Sequence, residues 1–147
     1  MRLLVFLLVA TLAFAATGCG SSNTKALSHD EYAAKADAIC RKFNRQFHAV
    51  GDVSDLPKLA AALDKLVPLF EKALDDLDAL TPPESEQATA DRWLDQSNSL
   101  KDDLKEIRDK AKVLDGDGVE VAQQSGARDV TQANKLAHKL GMRVCDR

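Results

Sequence analysis

The stretch Leu56–Leu80, LPKLAAALDKLVPLFEKALDDLDAL, carries the longest regular apolar pattern in the chain. Leu56, Leu59, Leu63, Leu66, Phe70, Ala73, Leu77 and Leu80 recur at alternating spacings of three and four, the repeat that gathers side chains on one face of an α-helix. Ser54-Asp55 offers a helix start, and Pro57 falls in the first turn, where its missing N–H costs nothing. Pro68 removes the bond to the carbonyl of Asp64, which predicts a kink or a break just before it. Thr81-Pro82-Pro83 ends the segment. A helix with one apolar stripe must bury it against partners, so the flanking sequence has to supply them.

It does so on both sides. Upstream, Ser28-His29-Asp30-Glu31 reads as a capping box opening a first helix. Tyr32, Ala36, Ile39, Phe43 and Phe47 form its stripe, with Cys40 beside it, and Val50-Gly51-Asp52 should end it. Downstream, a third helix is expected from about Glu84 to Leu114. Trp93, Ser97, Leu100, Leu104, Ile107, Ala111 and Leu114 face the core, Ser97 being the one polar entry. Asp115-Gly116-Asp117-Gly118 breaks that pattern. Asp117 with Glu120 then suggests a cap for a fourth helix, Val119–Leu140. Its stripe of Ala122, Gly126, Val130, Ala133, Ala137 and Leu140 is mostly small, and Gly141 suits its C-terminal end. Four amphipathic helices on short links predict an all-α, up-down-up-down four-helix bundle over residues 28–147.

The N-terminus reads differently. Met1-Arg2 is followed by an uncharged apolar run, Leu3–Ala16, short against the roughly 20 residues needed to span about 30 Å of hydrocarbon. Small residues follow it, which is the layout of a cleaved signal peptide covering residues 1–18. Ala16-Thr17-Gly18-Cys19 resembles the bacterial lipobox. The resemblance implies cleavage between Gly18 and Cys19, acyl chains on Cys19, and anchorage on the extracytoplasmic face of the cell membrane. Gly20–Ala26 is small, polar and aperiodic, so residues 19–27 read as a lipidated cysteine and a flexible tether.

The full chain has 20 Lys and Arg against 23 Asp and Glu, a net charge of −3. Nucleic-acid binding needs a concentrated basic face, and none is expected here. With Cys19 assigned to lipid, Cys40 and Cys145 remain, in a compartment that permits disulfides. They are expected to pair, the alternative being two buried thiols, which sits poorly with a position so near the C-terminus. For the pair to form, the tail after Gly141 has to fold back along the first helix.

His29, His48 and His138 show no metal-ligand spacing. His138 and Met142 stand four apart, but Gly141 between them argues that the helix has already ended. Glu71, Asp75, Asp76 and Asp78 concentrate acid late in the second helix, and a solvated face explains them. No nucleophile motif and no glycine-rich phosphate loop is present. Catalytic, cofactor-binding and metal residues are therefore expected to be absent, and the chain is not expected to be an enzyme.

Ala36-Asp37-Ala38-Ile39-Cys40, the central Pro82-Pro83 and Gly141-Met142-Arg143-Val144-Cys145 together resemble a broad class of small actinobacterial lipoproteins and secreted helical proteins. The resemblance implies a Gram-positive source and the Cys40–Cys145 bond; it implies no activity. The expectation is a non-enzymatic interaction or structural module of the cell envelope, meeting an envelope protein or cell-wall partner. A small-ligand or metal-ion carrier is the alternative, suggested by the acidic patch and by a cavity that the small residues of the fourth helix would leave.

Overall fold

The computed structural model describes residues 25–51 and 53–146. Four helices follow one another, α1 His29–His48, α2 Leu56–Asp78, α3 Gln87–Lys112 and α4 Gly116–Lys139, with a 3₁₀ turn, Glu84–Glu86, leading into α3. They run up, down, up and down, and the described residues contain no strand. The start of α1, the α2–α3 link and the chain after α4 share one end of the bundle, here called the tether end for the tether that the sequence leads one to expect before α1. The α1–α2 and α3–α4 links share the far end.

The caps explain where the helices begin. At α1 the Ser28 hydroxyl accepts from the Glu31 amide while the Glu31 carboxylate accepts from the Ser28 amide at 2.9 Å, a complete capping box. Asp55 caps α2 by accepting from the Lys58 amide at 2.8 Å. Of the kink or break expected at Pro68, the break does not occur: α2 passes through it as one helix. Pro68 and Asp64 both lie on the exposed face, so the carbonyl that loses its partner faces water. Leu66 and Val67 before the proline, and Ala73 and Leu74 after it, remain buried.

Two other boundaries differ from expectation. Glu84–Glu86 forms the 3₁₀ turn, and α3 proper starts at Gln87 and stops at Lys112. Leu114, expected in the core stripe, instead takes a left-handed conformation with φ 60 and stands exposed. The cap of α4 is Asp115, whose carboxylate accepts from the Gly118 amide at 2.9 Å, not Asp117. The Asp115 carboxylate fills the space a Cβ at residue 118 would need, so glycine there is what admits the cap.

The core has two parts. Tyr32, Ala36, Leu77, Trp93, Leu140 and Met142 centre the tether-end cluster, and Leu63, Leu66, Ile107, Ala111 and Val119 the far-end cluster. The buried Ser97 donates to the Trp93 carbonyl at 2.8 Å and so enters the core satisfied. The closest packing is between α3 and α4, then between α2 and α3, then between α1 and α2, while α1 and α4 scarcely approach each other. The small residues Ala122, Gly126, Ala133 and Ala137 are buried and let α3 draw close. Phe47 and Val130, both read as stripe residues, are exposed because they border the seam between α1 and α4. No helix of the described residues is long and apolar enough to cross a membrane.

Candidate functional site

The expected signal peptide and most of the tether, with Gly18 and Cys19, lie outside the described residues. Cys40 and Cys145 are joined as expected, their Cα atoms 5.4 Å apart. The chain reaches that bond through a turn at Gly141, whose φ of +74 suits glycine. A Cβ there would also meet His29 Nε2 at 2.6 Å. Met142 then drops fully into the core. The next three amides, of Arg143, Val144 and Cys145, all donate to the Asp37 carboxylate, at 2.9, 2.8 and 3.3 Å for the shortest approach of each. Asp37 is only 8% exposed, and these donors supply what water would otherwise give a buried carboxylate. In the sequence Asp37 stands within residues 36–40 with no motif to mark a role for it. The available signal was its position one helical turn before Cys40, on the same side of α1.

The histidines are dispersed. His29 places Nδ1 2.6 Å from Glu86 Oε1, joining the start of α1 to the 3₁₀ turn. His138 is exposed whereas Met142 is fully buried, so the two do not converge. The acidic residues of α2 are divided among ion pairs: Glu71 with Lys105 at 2.6 Å, which holds the Glu71 carboxyl below its ordinary range, and Asp76 with Lys72 at 3.1 Å. Among the described residues no group of three His, Cys, Asp or Glu side chains gathers to hold a metal ion.

Two further groups have shifted titration. Burial pushes the Tyr32 phenol up to about 12, and the charges of Asp91, Glu86 and Asp78 add to the effect. Between α3 and α4, burial raises the Asp103 carboxyl, a hydrogen bond from Ser125 opposes this, and the neighbouring Asp129 raises it further. That pair was not anticipated, because its members lie on two helices whose rotational setting a sequence pattern leaves undefined.

A partly open apolar space lies at the far end. A cavity of about 400 Å³ opens among Phe47 and Val53, Leu63 and Leu66 of α2, and Leu104 and Ile107 of α3. His48 and Gln123 are its polar neighbours. A broader trough between α3 and α4, bordered by Arg92, Asp95, Lys135 and Lys139, is open and lined by solvated side chains.

The fold and these features define a disulfide-closed helical module with an apolar cavity at the end away from the start of α1. No family model, curated protein or solved structure matches the chain.

Proposed function

We propose that the protein is an extracytoplasmic lipoprotein, held on the cell membrane by acyl chains on Cys19, whose bundle serves as a non-enzymatic binding module of the envelope. The observation that supports this reading most is the disulfide. Cys40 and Cys145 consume each other, so the cysteine that remains is the one preceded by Ala16-Thr17-Gly18, and a stable disulfide suits an exported protein. The Leu27 amide donates to the Thr81 carbonyl at 2.9 Å, which fixes the point where a tether would enter at the end opposite the cavity. An envelope protein or cell-wall polymer is the proposed partner, in keeping with the resemblance to actinobacterial lipoproteins.

A small-ligand carrier is the second reading, and the far-end cavity favours it. The metal-ion form of that reading has no comparable support among the described residues.

Cys19→Ser tests the anchor. The wild-type protein should partition with membranes, require detergent for release, and carry acyl mass on its N-terminal peptide. The variant should be released or retain its leader. A processed variant that still requires detergent would refute the anchor.

A further inference from the structure

Apolar surface is left uncovered mainly at one end of the bundle. Among the described residues the large apolar side chains that stand exposed are Phe47, Val53, Val113, Leu114, Val121 and Val130, and all but Val130 belong to the far end. Between Phe47 and Val53 opens the cavity of about 400 Å³. That volume falls in the roughly 300–1,000 Å³ range of small-molecule sites, and well above the about 150 Å³ that accepts benzene.

The cavity exists because α1 and α4 do not close on each other, and all four helices contribute to its wall, α4 through Gln123. One helical turn further along α2 and α3, a second space of about 140 Å³ follows the same seam to the Cys40–Cys145 bond. Phe43 and Phe70, with ring centres 5.0 Å apart, border it. Taken end to end, the α2 residues that line the two spaces run from Leu59 to Leu66 and then from Phe70 to Leu77, about 27 Å at ~1.5 Å per residue. The seam is therefore long and narrow. Among the described residues no Lys, Arg, Asp or Glu lines either space, and Arg108 and Lys112, which follow Ile107 along α3, are engaged by Asp64.

We infer that the seam between α1 and α4 is a binding site for a fatty acid, its hydrocarbon chain drawn in from the far end and its carboxylate left in water beside His48 and Gln123. A chain matches two apolar spaces in line better than a compact ring does. A peptide helix, roughly 10–12 Å across, needs a wider trough than spaces of about 400 and 140 Å³ in line provide. The driving force is transfer of methylenes out of water, which requires no ion pair at the mouth. The assignment rests on the ligand-carrier reading and is independent of the anchor.

The test uses the mature chain with Cys19→Ser and its disulfide intact. Dansyl-labelled undecanoic acid is titrated by fluorescence and displaced with octanoic, decanoic, dodecanoic and tetradecanoic acids. One saturable site is expected, with displacement improving about fourfold per added methylene until the seam is filled. Ala62→Phe places a ring in the cavity and should weaken binding at least about tenfold, whereas Ala61→Phe, on the exposed side of α2, should leave it unchanged. Absence of a saturable signal, or equal binding by the two variants, overturns the assignment. Should Ala62→Phe fail to fold, the chain-length series decides, and a flat series is equally fatal. A chain that doubles in mass by native mass spectrometry and excludes the acid would mean that a second copy covers the mouth, which also overturns it. Binding of anilinonaphthalene sulfonate that Ala62→Phe abolishes, with no competition from any acid, would reject the fatty acid and keep the ligand-carrier reading.

Discussion

Asp37 Oδ1 accepts the amide N–H of Val144 at 2.8 Å across a separation of 107 residues. With the flanking amides of Arg143 and Cys145 on the same carboxylate, the tail is held in register one turn from the cysteine it bonds. The polar contact and the covalent one are adjacent parts of a single closure, and each should depend on the other.

Asp37→Ala leaves amides of the tail without their acceptor. A loss of about 2–3 kcal/mol is expected, the range for hydrogen bonds to a charged group. Asp37→Asn retains one acceptor oxygen and should lose less. Urea unfolding of the oxidised proteins measures both, and equal losses for the two variants would show that the carboxylate does not hold the tail.

Replacing Cys40 and Cys145 together by serine opens a loop with a sequence separation of 105. The chain-entropy account gives an upper limit of about 4–5 kcal/mol, a large share of the stability of a domain this size. Because Asp37 and the disulfide fix the same segment, adding Asp37→Ala to the serine pair should cost less than it does alone. A double-mutant cycle reads this coupling, and strict additivity would separate the two.

Tyr32 is 1% exposed, and its phenol titrates near 12 in the folded chain against 10.0 without the surroundings. Ionisation is thus harder in the folded state. The contribution is complete below pH 10 and declines as the pH rises toward about 12, amounting to about 3 kcal/mol at most. Tyr32→Phe should remove this part of the alkaline decline. Parallel unfolding curves of the two proteins across that interval would contradict it.

Asp103 is penalised in its charged form by burial and by Asp129, so its ionisation destabilises the folded chain. Asp103→Asn should raise the melting temperature at pH 7 by about one to two degrees. The gain should vanish in acid, where the wild-type carboxyl is protonated. A gain that persists unchanged at low pH would exclude the electrostatic cause.

Sequence pattern made the helices and the staple legible because both are encoded locally or by elimination. Ser28 and Glu31 announce a cap by their spacing, the α2 stripe repeats across the whole helix, and Cys40 and Cys145 are the pair left once Cys19 is set aside. The α4 start was misread because two Asp-Gly steps follow each other, and the choice turns on Leu114 adopting a left-handed φ that its neighbours do not dictate. The role of Asp37 was hidden because its partners are backbone amides, which every residue but proline carries. The far-end cavity was hidden for a related reason. Periodicity shows that Phe47 belongs to an apolar face, but not whether α4 comes near enough to cover it.

The position of Cys40 within α1 has a mechanical consequence. A pull applied through residue 27 can unwind α1 only as far as Cys40, because beyond that point the chain is a covalent ring closed at Cys145. Any load reaching the far end is then shared between two strands of polypeptide. Were the chain held from upstream of residue 27, tension would pay out a few turns of α1 while the part that borders the cavity stayed topologically intact.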